Sequence, residues 1–318
     1  MNKSIYWILP ATAAILALTV MGCGKNNAPA NPTAELSGTI SASGAFAIYP
    51  LAIKWSEEFQ RLHPKVKFEI SAGGAGKGMT DALSGTVSIG MVSRDVDSAE
   101  KEKGAFPIFI AKDAVFPTAN TRNPALKELL GKGISRATFT DIFINGKITT
   151  WKQAVGGVDE PIHLFTRSDA CGAASAWAAT LGKFKQDDLK GIGVNGDPSV
   201  LSEVSKDPLA LGYNNLGFVF TSEKLADNVV IVPIDANNNG KVDPEELINS
   251  RTKAYQEVAS GRYPGARKEY FVTKGKPTGL AKEFIDFALS AAGTKVLNDA
   301  GGYVPLTDAE KSEQAKTL

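Results

Sequence analysis

SGTISASGAFAIYPLAIKWSEEFQRLHPKVKFEISAGGAGKGMTDALSGTVSIGMV, residues 37–92, decides the fold. Residues 37–42 read as a short strand, and Pro50 then opens a helix, because a first-turn proline gives up an N–H that has no intrahelical partner. Leu51, Trp55, Phe59 and Leu62 recur at helical spacing, and His63-Pro64 ends the run. A second strand over 66–71 leads into the glycine-rich turn Ala72 to Gly78, a helix from Met79 to Leu83, and an apolar strand from Val87 to Val92. This βαβαβ order predicts parallel strands with helices on their faces.

Outward from that stretch, residues 107–119 (PIFIAKDAVFPTA) read as a long strand and 269–274 (EYFVTK) as a return strand. Between them lies a second α/β region, and residues 279–297 read as one amphipathic helix packing back on the first region. The expected fold is α/β and two-lobed, each lobe a mostly parallel sheet flanked by helices. Residues 37–118 and 267–318 form lobe 1, 119–266 form lobe 2, and two crossing strands join them.

The N-terminus carries Lys3, an apolar run over residues 5–21 and the junction Val20-Met21-Gly22-Cys23. That order reads as a secretory signal over 1–22 with a lipobox, cleaved so that Cys23 carries a diacylglycerol. Residues 23–36, polar and proline-containing, form a flexible tether. The expected location is outside the cytoplasm, in the periplasm or on the outer cell surface, anchored to membrane. Cys23 and Cys171 are the only cysteines, so an acylated Cys23 leaves Cys171 without a disulfide partner. Lys and Arg number 35 against 34 Asp and Glu, a net charge of +1 that supplies no global field for nucleic acid.

Three turns rich in glycine and serine stand where strands hand over to helices: Ser43 to Phe46, Gly73 to Gly78, and Arg167 to Ser175. Helix N-termini present unpaired N–H groups and a positive dipole end, so converging turns form a cage for an anion. Arg94 and Arg167 would add forked, charge-assisted hydrogen bonds to a tetrahedral oxyanion. Nucleotide motifs fail on spacing: a P-loop through Gly76-Lys77 requires glycine at Ser71 and Ser or Thr at Gly78. A dinucleotide fingerprint through Gly74 and Gly76 requires glycine at Met79.

Residues 235–246, DANNNGKVDPEE, fit the twelve-residue calcium loop of an EF-hand at each defining position. Asp235, Asn237, Asn239, the Lys241 carbonyl, Asp243 and a bidentate Glu246 would supply oxygens to a structural Ca2+. Catalysis has little support: His63 and His163 lack a neighbouring nucleophile in sequence, and Cys171 at a helix start is the sole thiol candidate. The expectation is a protein that is not an enzyme. Trp55, Trp151, Trp177 and Phe218 read as core.

The segments SGAFAIYPLAIKW, SAGGAGKG, SIGMVSRD, TRSDACGAAS, LGYNNLGFVF and GGYVPL resemble the phosphate-binding protein family of Pst-type ABC importers, within the type II periplasmic binding proteins. The resemblance implies phosphate held between the lobes by the amides of Ala45, Phe46 and Ala75, by Arg94 and Arg167, and by Cys171, Gly172 and Ala173. Asp169 would orient Arg167, with Ser43 and Ser93 as hydroxyl donors. It also implies a monomer that delivers its ligand to an ABC permease. Well-known members place aspartate at the position of Arg94, and Ser and Thr at Cys171 and Ala173. Sulfate, arsenate or a larger oxyanion, or a calcium-dependent surface role, are the alternatives.

Overall fold

The computed structural model describes residues 35–318. The signal segment, Cys23 and nearly all of the tether lie outside the described residues. Nine strands form one sheet: β1 (Gly38–Gly44), β2 (Val66–Ala72), β3 (Ile89–Val92), β4 (Ala105–Asn120), β5 (His163–Arg167), β6 (Ile192–Val194), β7 (Ala210–Asn215), β8 (Val229–Ile231) and β9 (Ala266–Lys274). Their order is β2-β1-β3-β9-β4-β7-β5-β6, with β8 also paired to β4. Strand β1 is parallel to β2 and β3, and β5 is parallel to β6 and β7. The antiparallel pair β4 and β9 joins the two parallel sets. That is the architecture of a two-lobed type II periplasmic binding protein, with β4 and β9 as the crossing strands.

Two large apolar clusters flank the crossing strands. One gathers Ile40, Trp55, Phe59, Met91, Phe271, Phe284 and Leu297; the other gathers Phe139, Phe143, Trp151, Trp177, Leu211, Tyr213 and Leu216. Helix α1 (Tyr49–Leu62) buries Leu51, Trp55 and Phe59 one turn apart, each worth about 2 kcal/mol of removed apolar area. The Trp55 indole N–H is also satisfied, donating to the Gly293 carbonyl at 2.8 Å. Leu62, the last residue of the predicted stripe, is 45% exposed, because the helix ends as its face turns outward.

Two boundaries differ from the sequence reading. Helix α2 spans Ala75–Ser84, so Ala75 to Gly78 form its first turn rather than a connection. Gly74 is the residue before it, at φ +87, a conformation costly for other residues. The tail is two helices, Gly279–Leu289 and Ala291–Ala300, broken at Ser290, whose hydroxyl accepts from the Gly293 amide and caps the second.

Among the described residues, no helix is long and apolar enough to cross a membrane.

Candidate functional site

The three turns meet across the cleft. Helix α3 (Gly172–Leu181) starts at Cys171, and α2 starts beside it: the Gly76 amide donates to the Ala170 carbonyl at 3.1 Å. A Cβ built on Gly74 would lie 2.6 Å from that same carbonyl and 2.9 Å from Asp169 Oδ2, so only glycine allows the approach. Gly172 packs directly on Ser93, and the Arg167 guanidinium lies 5.2 Å from the Phe46 ring centroid. Residues from turns far apart in sequence thus face one another, and the N-terminal turns of α2 and α3 both open onto the junction.

Arg167 ends β5 with its side chain 1% exposed. Nε donates to Asp169 Oδ1 at 2.8 Å and Nη2 to Asp169 Oδ2 at 2.5 Å, while Nη1 donates to Asp197 Oδ2 at 2.5 Å. Burial works against its charge, but Asp197 and Asp169 outweigh that, so its pKa is raised and it stays cationic. Burial likewise pushes Asp169 upward, and the hydrogen bond from Arg167 overcomes it, so Asp169 titrates below the usual carboxylate range. One hydrogen on each terminal nitrogen remains for an anion. The Arg167 backbone is fixed as well, its amide donating at 3.2 Å to the Tyr213 hydroxyl, which also pairs with Thr166 at 2.7 Å.

Other expected groups are spent differently. The Ala45 amide donates to the Met91 carbonyl at 2.9 Å, and the Ser43 hydroxyl to Asp81 at 2.6 Å, beside Lys77. The Cys171 amide donates to Gln186 Oε1 at 2.9 Å, and its Sγ accepts from the Ala174 amide at 3.3 Å, capping α3 in place of a serine hydroxyl. Arg94 turns to Glu100, with bonds of 2.7 and 2.9 Å, because the capping box of helix Ser98–Glu102 puts that carboxylate within reach. It lines a cavity of about 550 Å3 with Ser175, Arg267 and Lys268. Ser93 lies at the junction, 2% exposed.

The cysteine environment disfavours a nucleophile. Burial pushes the thiol up to about 12, and His163 is engaged with Asp207 at 2.6 Å. In the chain from Leu36, whose one thiol is Cys171, iodoacetamide labelling at pH 8 is expected to run about 100-fold slower folded than unfolded in urea. Equal rates would contradict the burial and restore a reactive thiol.

Residues that sequence reading missed surround the junction: Asp197 and Asn215, Asp113 on β4, and Arg267 and Glu269 on β9. Their positions show no local signal; only the pairing of β4 with β9 and β7 assembles them. Burial drives Glu269 well above the usual range, and it drives Asp113 up too, against the pull of Arg267. Glu269 faces Arg267, Asp113 and, further off, Asp197. A carboxyl whose pKa is raised by folding contributes stability below its unfolded value near 4.3 and loses it as pH rises through the folded value. The melting temperature should therefore fall between pH 5 and pH 8.5, and Glu269→Gln should flatten that part of the profile. An unchanged slope in that variant would assign the loss elsewhere.

In the loop 235–246, Asp235 carboxylate oxygens accept from the Asn239 and Gly240 amides, and Glu246 accepts from Ala236 and Asp243. Asn237 and Asn239 both donate to Asp243 Oδ2, and the Lys241 amide donates to Asn239. The oxygens are gathered in one loop, Asp235 buried and Asn237 and Asn239 exposed, entered from the short strand Ile234–Asp235 rather than from a helix. No group of three or more His, Cys, Asp or Glu placed to hold a metal occurs among the described residues.

Two lobes, two crossing strands and turns converging on a buried arginine define a solute-binding protein of the type II class. Residues 29–292 match the family model PBP_like_2, a PBP superfamily domain. The chain is 31% identical over 322 residues to the phosphate-binding protein PstS of Bacillus subtilis (strain 168), covering 99% of this chain and 97% of that protein. The crystal structure of a putative phosphate ABC transporter substrate-binding protein with bound phosphate, from Clostridium perfringens, matches with a TM-score of 0.70 at 27% identity. That match covers 85% of this chain and 100% of the other. An ABC-type phosphate transport receptor from Vibrio cholerae shares the fold, with a TM-score of 0.64 at 21% identity over 85% of this chain and 100% of that one. The chain belongs to the PBP superfamily and, within it, to the PstS family of Pst-type phosphate-binding proteins.

Proposed function

We propose that this chain captures phosphate between its lobes and delivers it to the permease of an ABC importer. The observation that carries the reading is Arg167: a buried cation with two donor hydrogens left over, beside a junction of two helix N-termini. The relatives named as phosphate-binding proteins support the choice of anion. Residues 37–118 and 267–318 would close on 119–266 by bending at β4 and β9, and the closed surface would be what the permease recognises. The chain acts by binding rather than by catalysis, as a monomer. Export and acylation at Cys23 would hold it at the membrane.

The loop 235–246 supports a second, accessory reading, a structural Ca2+ held by Asp235, Asn237, Asn239, Lys241, Asp243 and Glu246. Its twelve-residue pattern includes Gly240 at φ +71, the turn such a loop requires.

Calorimetric titration of the chain from Leu36, stripped of anions, with phosphate, arsenate and sulfate, with and without calcium, tests both. Phosphate heat that saturates while sulfate heat does not supports the reading. Sulfate binding in preference to phosphate would reassign the anion. Melting that ignores calcium, with no binding heat from calcium itself, would remove the accessory metal.

A further inference from the structure

Arg267 stands where both lobes and the crossing strands meet. On β9 it lies opposite Asp113 of β4 in the antiparallel register. Its guanidinium donates to Asp113 Oδ2 at 2.9 Å, to the Ser93 carbonyl at 3.1 Å, and to Asn215 Oδ1. Ser93 follows β3, whose side chains fill the first apolar cluster, and Asn215 ends β7, whose side chains fill the second. One side chain, 6% exposed, therefore touches backbone or side chain of both lobes and of the hinge.

The contacts continue to the anion-facing arginine. Asn215 donates through Nδ2 to Asp197 Oδ1 at 2.7 Å and through its own amide at 3.3 Å. The other oxygen of Asp197 takes Nη1 of Arg167. Asn214 adds a bond from Nδ2 to the Asp197 carbonyl at 3.1 Å, so Asp197 is held from both its backbone and its side chain. The path Ser93–Arg267–Asn215–Asp197–Arg167 runs from one wall of the cleft to the other through hydrogen bonds alone.

We infer that Arg267 is a positioning residue that ties the two lobes together at the crossing strands and, through Asn215 and Asp197, fixes the fork of Arg167 toward the anion. The inference rests on the phosphate reading above. Ser93 follows β3, which pairs with β9, and Asn215 ends β7, which pairs with β4, so Arg267 ties one residue from each lobe to the crossing strands. A planar fork is needed because the three acceptors lie in different directions, which a lysine ammonium on one stem does not span. Asn215 can orient its amide one way only while its oxygen is held by Arg267, and that orientation is what turns its Nδ2 toward Asp197. The arginine itself sits behind Ser93, so it acts through these partners and not by touching phosphate.

The test compares the parent chain with Arg267→Lys, Asn215→Ala and the double variant. Phosphate affinity and dissociation rate are read by calorimetry and stopped flow, and hydrogen exchange is read over Ile89–Ser93 and Ala210–Asn215. Arg267→Lys is expected to weaken phosphate about tenfold or more, mainly through faster dissociation, and to raise exchange in both segments at once. The double variant should be no weaker than the worse single one, because both cut the same path. Parent-like release with unchanged exchange would overturn the tie, as would additive losses in the double variant. Should Arg267→Lys fail to melt cooperatively, Asn215→Ala alone decides by the same two readouts. A parent chain that binds no phosphate would sink the phosphate reading instead, and the exchange comparison, which needs no ligand, would then decide the tie by itself.

Discussion

A chain carrying Arg167→Ala is expected to give no saturable heat with phosphate at concentrations where the parent saturates. The two remaining donor hydrogens of the guanidinium make charge-assisted bonds, each worth about 1.5–3 kcal/mol. Losing both corresponds to roughly a hundred- to ten-thousand-fold in affinity. The substitution also leaves Asp169 and Asp197 buried without their cation, which repels an incoming anion and costs about 3–5 kcal/mol of stability. The two effects separate in a double variant, Arg167→Ala with Asp197→Asn, which removes one uncompensated charge. Its melting temperature should recover part of the loss while phosphate binding stays absent. Binding within about tenfold of the parent in the single variant would mean that the anion is not held at Arg167.

Sequence pattern reached those features that depend on neighbours within a few residues. The strand and helix order of 37–92, the long strand over 107–119 and the return strand over 269–274 follow from periodicity, and each stands in the structure within about three residues except helix α2, which starts four residues earlier than the pattern. Glycine turns and Arg167 were legible because a helix N-terminus after a strand carries its own chemistry. The break at Ser290 was not, since residues 279–297 keep their apolar spacing through it and only the cap onto Gly293 shows the interruption. Arg94 has a partner that the pattern does not show. An arginine after a strand reads as a ligand residue, and nothing in the spacing says that Glu100 will take its fork. Asp113, Asp197, Asn215, Arg267 and Glu269 lie up to 156 residues apart and share one buried network, which strand pairing alone brings together.

The second large effect is expected from one carbon atom. Gly172 is the first residue of α3, in a backbone conformation that an alanine adopts without strain, and alanine is the better helix former. A Cβ there overlaps the carbonyl and hydroxyl oxygens of Ser93 on the opposite wall, far inside van der Waals contact. The obstacle thus exists only when the cleft is shut. Gly172→Ala should leave the melting temperature without phosphate unchanged or slightly raised. Phosphate affinity should fall by about a hundredfold or more, because an anion closes the protein only by the difference in its affinity for the two states. Small-angle scattering with saturating phosphate should show the parent contracting and the variant keeping its anion-free radius. Adding Ser93→Gly should not rescue binding, since the Ser93 carbonyl remains. A variant that contracts and binds like the parent would show that the walls meet less closely at Gly172 and Ser93.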